Sequence, residues 1–213
     1  MFRPLVAAIA PPLCAGCGAA AGRVEPLCGP CRAQLRWLGS EPVLSGDSRW
    51  AGAPLAYEDP ARGVVHSLKF AGATRAAGAM AAQMAANAPP GWFESDRVLV
   101  PVPLHPSRAR KRGYNQAAVL ASALARRTGL DTNDCLARAG ARGTQVGRDR
   151  AQRLAGIAGT VSLDAERGPA PARAVLVDDV ITTGATLAAC ARALVSGGAF
   201  SVVAVGYART PGR

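Results

Sequence analysis

Histidine and lysine are almost missing from this 213-residue chain, which has two of the first, His66 and His105, and two of the second, Lys69 and Lys111. So few histidines leave little to hold a metal through imidazole or to act as a general base. His66 falls in a helical pattern with Val65 and Leu68, as a structural residue would; His105 sits among ligand-type residues and is read as a phosphate hydrogen-bonder, not a base. Aromatic residues make up only 5% of the chain and do not alternate with the basic ones, so there is no stacking platform for nucleic-acid bases. Long apolar runs are absent, and none approaches the roughly 18 residues of a membrane-spanning helix. The six apolar residues Leu5–Ala10 run into Pro11-Pro12, and Leu13 stands before Cys14 where a lipoprotein cleavage site needs a small residue. No export signal is read, and a cytoplasmic protein without a membrane span is expected.

What is present is arginine. The formal charge is +11 and the pI about 10.4, which suits anionic partners: polyphosphates, single-stranded nucleic acid or acidic proteins. Arginine that comes with much alanine and glycine is also what a GC-rich genome produces, so charge alone does not choose among them. Length and 49% apolar content fit one globular domain with a small appendage. Pro- and Gly-rich breaks fall at 39–54, 87–92 and 168–172. The expected division is a cysteine module over 1–40, a linker over 41–54 and a main domain over 55–213.

Residues 175–186, Val-Leu-Val-Asp-Asp-Val-Ile-Thr-Thr-Gly-Ala-Thr, carry the most information. The continuous apolar run 173–177 predicts a buried parallel strand. Leu187, Cys190, Ala191, Leu194 and Val195 recur at helical spacing, and Gly197-Gly198 ends that helix. Thr183 or Thr186 is the expected N-cap. Between strand and helix stand two carboxylates, Asp178 and Asp179, and the hydroxyl-rich turn Thr182-Thr183-Gly184-Ala185-Thr186. An acidic pair alone reads as a solvated loop start. Placed before a helix N-terminus, whose free N–H groups attract phosphate, it becomes half of a sugar-phosphate site. The carboxylates accept from a ribose diol and can hold hydrated Mg²⁺.

Two Cys-x-x-Cys pairs, Cys14/Cys17 and Cys28/Cys31, are ten residues apart. This spacing fits one tetrahedral Zn²⁺ with four thiolates, a closed structural site. The disulfide alternative requires an oxidising compartment. Cys135 and Cys190 read as small core hydrophobes.

A second strand–loop–helix unit starts at Val98–Val102. Its loop, residues 104–116, carries Arg108, Arg110, Lys111 and Arg112, followed by Gly113, Tyr114, Asn115 and Gln116. Arginine forks match phosphate oxygens. Residues 138–161 hold five arginines and five glycines and are read as a cationic closing flap.

These strings together resemble a known family. Residues 175–186 are similar to the phosphoribosyl-pyrophosphate (PRPP) motif of type I phosphoribosyltransferases. Pro101-Val102-Pro103-Leu104-His105, the Arg110–Gln116 string, Tyr57, His66–Gly72, Ala208-Arg209-Thr210 and the cysteine pairs resemble the ComF/GntX branch, which carries an N-terminal four-cysteine zinc element. The resemblance implies a Rossmann-like, mostly parallel α/β sheet flanked by helices. It implies that Asp178 and Asp179 contact the ribose, that Thr182, Thr183, Gly184, Ala185 and Thr186 bind the 5′-phosphate, and that Arg108, Arg112, Gly113, Asn115 and Gln116 serve the pyrophosphate. Asp178, Asp179, Lys111 and Arg112 are the expected catalytic residues, and Thr144, Gln145 and Arg153 the flap residues. Thr144 and Gln145 are adjacent here where the family usually spaces them as Thr-x-x-Gln. The implied activity is Mg²⁺-dependent transfer of phosphoribosyl to a nitrogenous acceptor, serving natural competence through single-stranded DNA or competence proteins. The alternative is a non-catalytic nucleic-acid or protein adaptor that keeps the PRPP site as a sensor.

Overall fold

Strand β7, Arg173–Ile181, lies inside a mostly parallel sheet, and its burial explains its sequence. Residues 174–177 are buried on both faces. Val175 and Val177 join one apolar cluster with Leu99, Leu120 and Val205; Ala174 and Leu176 join the other with Leu187, Cys190 and Leu194. An all-apolar run rather than an alternating one is the signature of a strand covered by helices on both sides.

The computed structural model describes residues 12–39, 43–45, 48–70, 74–139 and 161–211. In chain order these form α1 (Gly29–Ala33), β1 (Val43–Ser45), β2 (Ser48–Gly52), β3 (Leu55–Ala56), α2 (Ala61–Phe70), α3 (Thr74–Asn87), β4 (Val98–Pro101), α4 (Pro106–Arg112), α5 (Gln116–Thr128), β5 (Leu136–Arg138), β6 (Val161–Leu163), β7, α6 (Ala185–Ser196) and β8 (Ser201–Arg209). The main sheet runs β1-β2-β8-β7-β4, with β3 also on β8. All its pairings are parallel except β1 with β2. Helices α3 and α5 pack together, α5 against β4 and β7, while α6 packs on β7 and β8. The apolar clusters put α3 and α5 on one face of the sheet and α6 on the other. This is the mostly parallel, helix-flanked α/β architecture expected from the sequence. β5 and β6 form a separate antiparallel ribbon.

Three local features depart from the sequence-based expectation. Within 41–54, the stretch expected to be a linker, residues 43–45 and 48–52 form strands, and β2 pairs with the central strand β8. The cysteine loops share an apolar cluster with the main sheet and α2: Cys14, Leu27, Cys31 and Leu35 pack with Leu55, Val64 and Leu68. β7 continues past Val177 through the acidic pair, because β8 keeps pairing with it, Asp178 opposite Gly206 and Ile181 opposite Arg209.

Contact between the cysteine loop and α2 is very close. A Cβ on Gly63 would lie 2.2 Å from the Ala15 carbonyl oxygen, so only glycine lets the helix back onto this loop. Helix α2 thus links the cysteine cluster at one end to Lys69 at the other.

Candidate functional site

Because β7 stays a strand through residues 178–181, Asp178 and Asp179 point to opposite faces of the sheet. Asp179 is on the face of Val175 and Val177, where α2 arrives. Its Oδ2 lies 2.9 Å from Lys69 Nζ, with both side chains mostly buried. Asp178 is on the face of Leu176, where α6 begins. Its Oδ1 accepts the Asp179 backbone N–H at 2.8 Å. Burial pushes the Asp178 carboxyl well above the usual carboxylate range, and the neighbouring Asp179 charge adds to the effect; the Asp179 N–H and Lys69 oppose it. The pair is therefore split: one carboxylate neutralised by an ammonium, the other held at a high proton affinity and short of a cation or hydroxyl donors.

Both carboxylates line a pocket of about 250 Å³ at the carboxyl end of the sheet. This is where parallel α/β sheets bind their ligands. Arg108, Arg112, Asn115, Gln116, Thr182 and Thr186 also line it. So do Tyr57, Lys69 and Arg138, three residues outside the predicted set. Lys69 was legible only as part of the family-like string 66–72. Arg138 was absorbed into the flap stretch.

The turn after β7 has a different cap from the one expected. Gly184, not a threonine, is the N-cap of α6, at φ +73°, a left-handed conformation that requires glycine. Thr183 Oγ1 accepts from the Ala185 N–H at 3.4 Å. The first intrahelical bond runs from Ala188 N–H to Gly184 O, so the amides of residues 185–187 precede it. A recess of about 30 Å³ opens there, bounded by Asp178, Thr182, Gly184, Ala185 and Thr186. Thr183 is exposed and does not line it.

Residues 104–116, expected as a loop, contain the seven-residue helix α4. His105 caps it: Nδ1 accepts the Ser107 N–H at 3.3 Å, so the imidazole has a structural task. Gly113, at φ +77°, ends it in the left-handed conformation. Helical spacing sorts the four cations. Arg108 and Arg112, four apart on one face, line the pocket. Arg110 and Lys111 are exposed and not among its lining residues. Lys111, expected among the catalytic groups, thus lies off the pocket wall. Asn115 caps α5, accepting from the Ala117 N–H at 3.1 Å, and donates to the Val102 carbonyl at 3.0 Å. The Tyr114 hydroxyl donates to the Leu68 carbonyl, fixing this loop to the end of α2 beside Lys69. Gln116 is 4% exposed, and its Oε1 has no hydrogen-bond partner.

Arg138 stands on β5. Burial lowers its guanidinium from the ordinary value, Cys190 opposes this, Arg108 reinforces it and Asp178 opposes it. Cys190, on the buried face of α6, is itself pushed up to about 12 by burial, with the Asp178 charge adding; it stays a thiol and a core residue. Burial raises the Cys135 thiol as well. Thr144, Gln145 and Arg153 lie outside the described residues.

Cys14, Cys17, Cys28 and Cys31 come together with all four Sγ atoms within 4.8 Å of one another, and none is in a disulfide. A tetrahedral zinc with bonds of about 2.3 Å sets sulfur separations near 3.8 Å; Cys17 and Cys28 already stand at 3.7 Å. Burial raises the Cys14 thiol, but N–H groups of Cys28, Cys17 and Gly16 outweigh it and bring it down to about 6. Cys31 rises to about 12, through its hydrogen bond to Cys17, burial and the neighbouring sulfurs. One preformed thiolate with N–H donors to its sulfur, inside a four-sulfur cage, fits a structural zinc.

No protein-family model matches the chain. A curated relative, "Competence protein F" of Haemophilus influenzae, is 40% identical over 91 residues, which are 42% of this chain and 40% of the relative. The resemblance read from the residues therefore has a relative behind it, over about two-fifths of each protein. Among solved structures, the glutamine PRPP amidotransferase from B. subtilis complexed with ADP and GMP is 24% identical, with a TM-score of 0.38 over 62% of this chain and 25% of that one. A structure described as the allosteric regulatory enzyme of purine biosynthesis gives 24%, 0.37, 62% and 24%. These likenesses are too loose to bear on function. Among the described residues, no helix is long and apolar enough to cross a membrane.

Proposed function

We propose that this chain, a phosphoribosyltransferase-like relative of competence protein F, binds PRPP and transfers its phosphoribosyl group to a nitrogenous acceptor. The observation that carries the reading is the convergence of Asp178 and Asp179, Thr182 and Thr186 of the following turn, and Arg108 with Arg112 on one pocket at the carboxyl end of the sheet. A ribose diol would donate to the Asp178 and Asp179 carboxylates. The amides of residues 185–187, with Thr182 and Thr186, would take the 5′-phosphate. The forks of Arg108 and Arg112 would take the pyrophosphate.

In the reaction the C1–O bond to pyrophosphate breaks and its electron pair leaves with the oxygen. A C1–N bond forms and the nitrogen loses a proton. Charge grows on the leaving pyrophosphate, and fixed arginines aimed at it lower the barrier. Mg²⁺, held by Asp178 and Asp179 directly or through water, would supply further neutralisation of the phosphate charge. Asp178, half-buried and held at high proton affinity, is the carboxylate that gains most from such a cation. Lys69 orients Asp179 through their 2.9 Å ion pair. The zinc cage is structural and stands apart from this chemistry.

A second reading is favoured by the exposed Arg110 and Lys111, which add to the +11 charge without lining the pocket. In it the chain is a PRPP-sensing adaptor for single-stranded nucleic acid or an acidic protein. Pyrophosphate release separates the two. With PRPP, Mg²⁺ and ammonia, primary amines or free nucleobases, transfer predicts release that Arg112→Ala slows strongly. Binding without release for any acceptor would favour the sensor.

A further inference from the structure

The four cysteines of the cage are not equivalent. Cys14 and Cys31 are buried in the apolar cluster shared with the sheet, Cys28 is half-buried, and Cys17 is exposed. Cys14 is also held by amides: its Sγ accepts the Cys28 N–H at 3.3 Å and the Gly16 N–H at 3.4 Å. A small oxidant arriving from water therefore meets Cys17 first. Cys28 Sγ stands 3.7 Å from the Cys17 sulfur. An exposed thiolate with a second sulfur beside it is the arrangement in which a first oxidation is resolved as a disulfide.

We infer that Cys17 and Cys28 are an oxidation site for hydroperoxides, whose closure into a disulfide releases the zinc and weakens the PRPP pocket through α2. The Cys17 sulfur attacks the outer oxygen of the peroxide. An S–O bond forms, the O–O bond breaks, and the remaining alkoxide or hydroxide takes a proton from water. The Cys28 thiolate then attacks Cys17 Sγ. An S–S bond forms, the S–O bond breaks, and hydroxide leaves with a second proton as water. Two thiolates have lost two electrons to one peroxide. Two sulfurs remain, too few for a closed tetrahedral zinc site.

The packing gives this chemistry a direction. A Cβ at Gly18, beside Cys17, would meet nothing within 4 Å, so the tip of the loop has room to move. The other side of the loop has none: a Cβ at Gly16 would lie 3.0 Å from Cys31 Sγ and from Pro60, just before α2, and Ala15 is pressed on Gly63. A change in the cage therefore reaches α2, whose far end holds Lys69 against Asp179 and offers the Leu68 carbonyl to Tyr114. The oxidation site stands independently of the PRPP reading; its effect on the pocket rests on that reading.

The test treats the whole zinc-loaded chain with hydrogen peroxide. Zinc release is followed with a chromogenic chelator, and disulfides are mapped by mass spectrometry after free thiols are blocked. Cys17–Cys28 should be the first disulfide, with one zinc released for each one formed, while the fully buried Cys135 and Cys190 remain thiols. PRPP affinity should fall tenfold or more and return with a thiol reductant and added zinc. Cys17→Asp, which keeps an oxygen ligand for zinc, should release the metal at least tenfold more slowly. A different first disulfide in wild type, or equally fast release from zinc-loaded Cys17→Asp, would overturn the assignment. Mapping on wild type decides the matter should the variant not load zinc. Unchanged PRPP affinity after Cys17–Cys28 has closed would overturn the coupling through α2. If reduced wild type binds no PRPP at all, the PRPP reading fails, and the mapped disulfide still decides the oxidation site.

Discussion

Asp178 is the residue at which function and stability pull apart. Its folded carboxyl holds a proton more tightly than it does in the unfolded chain, because burial and the Asp179 charge disfavour its ionised form. A raised carboxylate means that stability falls as pH climbs from the unfolded value, about 3.9, through the folded one. Above that window the ionised group costs stability. Asp178→Asn should therefore raise the melting temperature of ligand-free protein at pH 7, by roughly 2–4 °C for each kcal/mol recovered, and much less at pH 4, while PRPP binding is lost. An unchanged melting temperature at both pH values would contradict the burial argument. Lys69 has the opposite sign. Lys69→Met leaves the mostly buried Asp179 without its ammonium partner and should cost about 2 kcal/mol in denaturant unfolding. The arginines divide by position: Arg112→Ala should cost about 2.7–4 kcal/mol in the transition state, whereas Arg110→Ala and Lys111→Ala should leave kcat nearly unchanged. A steady-state comparison of the three variants checks it.

At the scale of elements, α2 connects the two chemistries of the molecule. Gly63 presses on the Ala15 carbonyl of the cysteine loop, and Lys69, six residues on, meets Asp179. Gly63→Ala forces a Cβ to within 2.2 Å of that oxygen, so helix or loop must shift. Overpacking of this kind costs about 1–3 kcal/mol, and the shift should weaken PRPP binding at a distance through the Lys69–Asp179 pair. A variant with unaltered PRPP affinity and stability would mean that the loop yields freely. Legibility followed the same elements. The run 173–177 and the helix after it could be read because a doubly covered strand and an apolar helical stripe leave strong patterns. The continuation of β7 through Asp178–Ile181 could not, since pairing with β8 supplies it and carboxylates do not advertise a strand. Helix α4 was missed because Pro106–Arg112 has no buried residue and so no apolar stripe. β2 was missed because Ser48–Gly52 reads as linker until its partner strand is known. Of the pocket wall, the motifs pick out Asp178, Asp179, Thr182, Thr186, Arg108 and Arg112; Lys69 and Arg138 enter the pocket from other elements, and only the folded chain brings them there.

For the whole molecule, the cysteine cluster is part of the core. Cys14 and Cys31 are buried among Leu55, Val64 and Leu68, so loss of a bound metal would place unpaired thiolate charge against the apolar cluster that also supports α2. Metal binding contributes folding free energy in such cages. Treatment with a strong zinc chelator should lower the melting temperature by several degrees in one cooperative transition and reduce PRPP affinity with it. A separate low-temperature transition that leaves PRPP binding intact would show the cysteine loops to be thermodynamically independent.

Central to the account is a PRPP site built on Asp178 and Asp179. Calorimetric titration of PRPP with Mg²⁺ into the zinc-loaded protein, beside the double variant Asp178→Ala, Asp179→Ala, tests it most directly. The account predicts saturable binding by wild type and none by a folded double variant. Equal affinity in both proteins, or no heat from folded wild type, would contradict it.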